Sequence, residues 1–395
     1  MIMEAVKKNV PALRFTGFEG DWVQASFGSF VKRTSNKYDP NSDSEVYPCI
    51  ELEHLSSETG ILLGTVRSKD QKSIKNYFNE GEVLYGKLRP YLKKYYFAKF
   101  DGVCSSEIWV LKGVGVSNVF LYYLIQTSKF NDDVNVTSGS KMPRAEWDVI
   151  SSSLYNYPSI LEQTKIASFL TAVDDKINQL TRKKELLEQY KKGVMQKIFS
   201  REIKFRDEQG KEFPEWKSVR GKNLFESHSN KEHNGDLPIL AATQDKGMVY
   251  RDSIGIEIIS SEESIRSYKI VERGDFVISL RSFQGGIEYS YVKGICSPAY
   301  VILKPKVALN EHFYRHYFKK EDFITRLSKT VVGIRDGKQI SYEAFSSLKL
   351  PFPIIEEQQK IASFLASIDG KISLVSVQIE KMQTWKKGLL QKMFV

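Results

Sequence analysis

The chain carries one phrase twice: EQTKIASFL begins at Glu162 and EQQKIASFL at Glu357, 195 positions later. Internal repetition constrains a fold more than local propensity does, because both copies must build the same kind of unit. The likeness runs from Glu162 to Phe199 and from Glu357 to Phe394, and both copies close on KKG, two apolar residues and QK-x-F. Weaker echoes lie upstream at offsets of 192–195. GEVLYGKLRPY (81–91) resembles GDFVISLRSF (274–283), and GVCSSEIWVLK (102–112) resembles GICSPAYVILK (294–304). The approach to each copy is also alike, with FEGDW ending at Trp22 and KEFPEW at Trp216. The chain is a tandem duplication of one unit, a globular part followed by a long helical part.

The helical parts carry apolar residues at alternating spacings of four and three. One row runs Ile166, Val173, Leu180, Leu187, Val194 and a second Leu170, Ile177, Lys184, Lys191, Ile198. The second copy repeats them as Ile361, Ile368, Val375, Met382, Leu389 and Leu365, Ile372, Ile379, Lys386, Met393. Five heptads of this kind predict a coiled-coil seam, in which Lys184, Lys191 and Lys386 are the misfits. An antiparallel pairing of the two helices would place one globular unit at each end of a rod with pseudo-two-fold symmetry. A helix of roughly 35–40 residues is about 55 Å long, a length that suits a ruler. Pro158 and Ser159-x-x-Glu162 predict a capping box at the first helix start. Gly193 and Gly388 each cost about 1 kcal/mol in a helix, so their recurrence predicts a close backbone approach. Phe169, Tyr190, Phe364 and Trp385 fall on the shoulder of the seam. They pack either on the adjacent globular unit or on a helix of another subunit, since exposed aromatics mark partner sites.

The fold expected is mixed α+β: two α/β units, 1–155 and 203–350, separated by two long antiparallel coiled-coil helices within 156–202 and 351–395. Candidate strands are Cys49–Leu55, Val83–Leu88 and Ile108–Lys112, with counterparts at Pro238–Thr243, Phe276–Arg281 and Tyr300–Lys304. Helices are expected at Val119–Thr127 and Glu311–Phe318.

A net charge of +10 suggests an anionic partner, nucleic acid first and a membrane surface second. The basic and polar side chains gather on turns. The first unit offers Lys87, Arg89, Tyr91, Lys93 and Lys94, then Ser138, Ser140, Lys141 and Arg144; Glu53–Ser56 follows its first strand. Matching places in the second hold Thr243, Gln244 and Lys246, then Arg281, Ser282 and Gln284, then Arg335, Lys338 and Gln339. Arg, Lys, Gln and Ser on loops can reach phosphates and base edges. Matching positions with changed residues are what two readers of different sequences need.

Catalytic patterns are missing. Gly333 to Gly337-Lys338 has the wrong spacing for a phosphate-binding loop, and GVG at 113–115 is too short for a nucleotide fingerprint. His312 and His316 lie four apart, as zinc ligands on a helix can, but the other copy has Phe120 and Leu124 there, so a structural pair is expected. Three cysteines without a CxxC pair fit a reducing cytoplasm, with Cys104 and Cys296 as buried apolar groups. The N-terminus lacks the apolar core of a secretion signal, and no apolar run reaches the length of a membrane span.

Two variable α/β units alternating with two near-identical helices that carry EQxKIASFL and end in KKGxxQKxF resemble the specificity subunit of type I restriction–modification systems, over essentially the whole chain. GDFVISLRSFQGG and LAATQDKGMV are similar to pieces of that family's target-recognition domains. The resemblance implies a non-catalytic, cytoplasmic reader of double-stranded DNA, with one domain per half of a split site and the helices setting the gap. It implies two methylation subunits, which carry S-adenosylmethionine and methylate adenine, and restriction subunits that use ATP and Mg. No cofactor is expected in this chain. The alternatives are a scaffold of two interaction modules on a coiled coil, which binds no nucleic acid, or the specificity chain of another restriction–methylation type.

Overall fold

A computed structural model of the chain describes residues 9–136, 142–255, 262–330 and 340–395. Two compact units result, one of residues up to 182 joined by 377–395 and one of 183–376. Each unit holds a globular part and half of either long helix, Ile160–Phe199 and Ile355–Met393.

Both globular parts are built on a four-stranded antiparallel sheet of the same order. In the first unit the strands run Val31–Thr34, Ile108–Gly113, Val83–Gly86, Tyr95–Phe97; in the second, Phe225–His228, Val301–Pro305, Phe276–Ile278, Glu288–Tyr289. Each carries a short helix, Asn118–Leu124 or Glu311–Tyr317. The helices start alike, the Ser117 hydroxyl accepting from the Phe120 N–H and the Asn310 side chain from that of Phe313. Rings of these helices, Phe120 and Tyr123 in one unit and Phe313 and Tyr314 in the other, are buried in the cores. Several strands stop earlier than expected. Val83–Leu88 ends at Gly86 and Phe276–Arg281 at Ile278. Cys49–Leu55 gives way after Ile50 to a helical turn over Leu52–His54, where the Glu51 N–H donates to His54 Nδ1.

The copies diverge in their second layer. The first unit has a five-stranded sheet, ordered Lys37–Tyr38, Lys75–Phe78, Gly102–Cys104, Pro48–Ile50, Val66–Arg67, with one parallel pairing. The second has two short antiparallel ladders, Leu240–Thr243 with Gly247–Tyr250 and Lys269–Val271 with Gly294–Cys296, linked by a parallel bridge between Ile239 and Ile295. Cys104 and Cys296 are buried on matching strands, and burial pushes the Cys296 thiol up to about 12. Among the described residues no helix is long and apolar enough to cross a membrane.

Within each unit the two long helices run antiparallel. In the first, Ile166, Leu170 and Val173 share a core with Leu389, Leu390 and Met393. In the second, Val194, Met195 and Ile198 share one with Ile361, Leu365 and Ile368. These ends are core helices of the globular parts as well as a seam. Two misfit lysines belong to it: Lys386 lies 2.7 Å from Asp174 and Lys191 pairs with Asp369, each reaching the opposite helix. Lys184 instead meets Glu188 one turn along its own helix. The glycine expectation fails, since a Cβ on Gly193 or Gly388 would meet nothing within 4 Å.

The repeated phrase itself explains how helix and globular part are joined. Glu162 is buried and accepts from both Nε and Nη2 of Arg14, each at 2.8 Å, and from the Trp22 indole at 3.4 Å. Glu357 accepts from Arg201 at 2.6 Å and from the Trp216 indole at 2.8 Å. This engagement displaces the expected capping box: the Ser159 hydroxyl still faces the Glu162 N–H, but the Glu162 carboxylate points to Arg14. The next residue completes the joint. Gln163 accepts from the Ser117 N–H and donates to the Pro158 carbonyl, while Gln358 does the same with Asn310 and Pro353.

Removing one partner of such a pair leaves a buried charge uncompensated. Arg14→Met and Arg201→Met should therefore each destabilise the protein by about 3 kcal/mol, read as a lowered urea midpoint. Midpoints equal to the parent's would show that the joint holds nothing.

Candidate nucleic-acid interface

In both units a group of the candidate side chains sits on the loop between the third and fourth strands of the sheet. In the first unit that loop is KLRPYLKK. Pro90 sets the turn Pro90–Leu92 and disfavours the right-handed helical region for the residue before it. Arg89 and Lys93, on either side, take left-handed backbone with φ of 51° and 48°. Non-glycine residues held there store strain, and the surrounding bonds hold them. The Arg89 N–H donates to the Pro143 carbonyl, the Lys87 N–H to that of Glu107, and the Ala145 N–H to that of Lys87. Three segments thus form one face.

Not every expected side chain on that face is available. Lys93 pairs with Glu58 at 3.2 Å, holding that carboxyl below its usual range, and Lys94 Nζ donates to the Leu52 carbonyl. Arg144 pairs with Glu107 at 3.1 Å. Arg89 and Tyr91 are exposed and Lys87 is half-buried. These three side chains carry no bond to another described residue. Ser138, Ser140 and Lys141 lie outside the described residues, as do Arg335, Lys338 and Gln339 of the second unit.

The second unit's loop leaves its strand at Ile278 and forms a short turn over Ser282–Gly285. Ser282 builds that turn: it is buried, and its hydroxyl accepts from the Ser279 N–H. Thr243 likewise closes a hairpin, its hydroxyl donating to the Gly247 carbonyl and accepting from the Lys246 N–H. Both hydroxyls are engaged in these turns. Arg281, Gln284, Gln244 and Lys246 are exposed. The two loops touch, because a Cβ on Gly285 would stand 2.6 Å from Cγ of Gln244.

The shoulder aromatics divide. Phe169 packs edge-on against Phe15 and Trp385, and Phe364 against Phe205, so both are half-buried within their own units. Tyr190 and Trp385 remain about half exposed, at 54% and 47%.

Among the described residues no group of three or more His, Cys, Asp or Glu side chains could hold a metal ion. A cleft of about 680 Å³ in the first unit contains Glu58, Lys93, Asp174 and Lys386, but these charges pair with one another. His312 stacks on Tyr291, whereas His316 is buried with Nε2 3.8 Å from Asp369. Sequence reasoning missed the roles of Arg14, Glu162 and Gln163 and their counterparts. The available signal was that Glu and Gln open both copies of the phrase, each preceded far upstream by a Trp.

These features define a duplicated architecture of two sheet-based units, each joined to the long helices, and comparison with known proteins agrees. The chain matches the family described as type I restriction modification DNA specificity domain twice, over residues 20–189 and 214–383. It belongs to that family. The MjaVIII specificity subunit of a type I restriction enzyme from Methanocaldococcus jannaschii is 25% identical, over 94% of this chain and 91% of its own length. The EcoDI specificity subunit from Escherichia coli is 31% identical, over 29% of this chain and 26% of its own. Two solved structures share the fold. One comes from work on assembly and conformational transition of a type I restriction–modification system (TM-score 0.58, 18% identity, covering 94% of this chain and 96% of that one). The other is the S subunit of such a system from M. genitalium (TM-score 0.55, 15% identity, 98% and 99%).

The buried histidine makes a pH prediction. Burial first, then the charges of Lys191 and Arg315, depress the His316 pKa well below its usual value, so the native state holds it neutral. The unfolded chain binds that proton below about pH 6.5. Stability is then lost as pH falls through that value, by up to about 1.4 kcal/mol per unit. The matching helix caps Ser117 and Asn310 place Tyr123, and not Leu124 as the sequence alignment of the copies has it, at the position of His316. His316→Tyr, which copies Tyr123, should flatten the loss between pH 7 and 5. Parallel stability curves for parent and variant would refute the assignment.

Proposed function

We propose that the chain is the non-catalytic, sequence-reading subunit of a type I restriction–modification complex. Each globular part reads one half of a split duplex site, and the paired long helices set the gap. The observation that carries this reading is a matched pair of loops with changed side chains. Lys87, Arg89 and Tyr91 extend from one unit, and Arg281, Gln284 and Gln244 from the other. Lysine and arginine give phosphate attraction without sequence information, whereas Arg and Gln can bond bidentately to guanine and adenine edges.

On this reading the chemistry belongs to other chains. Two methylation subunits carry S-adenosylmethionine and modify adenine, restriction subunits use ATP and Mg, and the whole works in the cytoplasm. Exposed Tyr190 and Trp385 are the side chains we assign to docking of the methylation subunits. Phe169 supports Trp385 by packing edge-on against it, and Phe364 packs on Phe205 within the second unit.

Mapping methylated adenines in cells with and without this chain tests the bipartite site. Modification should fall on two half-sites at a fixed gap, and a contiguous motif or no modification would sink the proposal. Lys87→Ala with Arg89→Ala should weaken binding to all duplexes and lower the slope of log affinity against log salt by about 2. Arg281→Ala or Gln284→Ala should instead relax preference at one or two positions of one half-site, by about 1–3 kcal/mol each. Parent-like salt slopes and preferences in these variants would remove the loops from the DNA face.

A further inference from the structure

The second unit contains an ion pair of a buried carboxylate and a half-buried ammonium directly beneath its candidate reading loops. Glu288, in the edge strand Glu288–Tyr289, is 2% exposed. Lys319 follows the helix Glu311–Tyr317, and its Nζ lies 2.7 Å from both Glu288 carboxylate oxygens. The same ammonium donates to the Gly285 carbonyl at 2.9 Å and to the Gln244 carbonyl at 3.1 Å. An ammonium has three donors, and here they reach three different segments. Those segments are the edge strand, the loop bearing Arg281 and Gln284, and the hairpin turn bearing Gln244.

Burial opposes both charges, pushing the Glu288 carboxyl up and the Lys319 ammonium down. A pair of this kind is weak as a source of stability, and its best-attested use is to fix one arrangement among several. The first unit lacks it. Tyr96, opposite Leu84 as Glu288 is opposite Val277, stands at the place of Glu288 in the equivalent strand and packs with Leu84 and Phe100 in an apolar cluster. Gln126 stands where Lys319 does and donates to the Tyr122 carbonyl of its own helix. The tie is therefore particular to the second unit's loops and not a requirement of the shared sheet.

We propose that Lys319 is the positioning residue of the second reader, holding the Gln244 turn and the Arg281–Gln284 turn together so that they meet one half-site as a single surface. This rests on those loops reading DNA. The test uses the full chain assembled with its methylation subunit and a randomised duplex library. Lys319→Met combined with Glu288→Met removes both charges, so no lone buried charge remains, and such replacements are often neutral for stability. The parent should select two half-sites. The double variant should keep one unchanged and lose about tenfold of its discrimination at one or two positions of the other, the half-site that Arg281→Ala also weakens.

Unchanged selection by a folded double variant would overturn the positioning role and leave the reading intact. Equal loss at both half-sites would overturn it too, as a general structural effect. A parent that selects no sequence would overturn the reading and this inference together. Should the double variant not fold, Gly285→Ala serves, since its Cβ meets the Gln244 side chain while Lys319 and Glu288 stay paired. The same half-site should relax, and full stringency in Gly285→Ala would overturn the proposal.

Discussion

A carboxylate at the start of each long helix, clasped by an arginine and an indole, is the interaction from which the rest of this protein follows. Glu162 with Arg14 and Trp22, and Glu357 with Arg201 and Trp216, bring the segment preceding each sheet onto the helix that follows it. The neighbouring Gln163 and Gln358 bond the N-cap of the short sheet helix and the proline before the long one. Two adjacent side chains thus gather the beginning, middle and end of a globular part of some hundred and fifty residues. A buried carboxylate can be held in this way only if its lone pairs are satisfied by charged or strongly polar donors. The phrase must therefore recur wherever the unit recurs.

With the joint held constant, the rest of the unit is free to vary. The four-stranded sheets have one order, and the turns after Ser105 and Ser297 are closed by the same two kinds of bond. The second layers differ, as a five-stranded sheet in one unit and two short ladders in the other. The loops at the candidate DNA face differ further still, down to the chemistry that anchors them: the Tyr95 hydroxyl on the Glu58 carbonyl in the first unit, a lysine–glutamate pair in the second. On the proposed function, this division between an unchanging mount and interchangeable loops is what reading two different short sequences requires.

The lysines of the helical seam show how pairing direction is specified. Hydrophobic rows alone permit parallel or antiparallel pairing. Lys386 against Asp174 and Lys191 against Asp369 are satisfied by antiparallel strands in one register, because each lysine near a helix end finds its aspartate near the other helix's start. Charge pairs in or beside a seam contribute little to stability but discriminate strongly between alignments. These residues look like defects in the heptad pattern, and they are its address.

The duplication, the long helices, the mixed fold and the family were all legible in the sequence, because periodicity and repetition are local or internal properties of the chain. Cys104 and Cys296 could be read as buried for the same reason, each lying in a matching apolar strand. The state of an individual polar side chain was not legible. Lys93, Lys94, Arg144, Ser282 and Thr243 have the composition of DNA contacts, yet each is engaged by a carboxylate, a carbonyl or an N–H. Their partners arrive from other segments or from the turn itself, and only tertiary structure brings them within hydrogen-bond distance. The same holds for Lys319, which sits unremarked after a helix in the sequence but touches three segments in space. Sequence determined what kind of unit is built twice; folding decided which of its charges face inward and which remain to meet a partner.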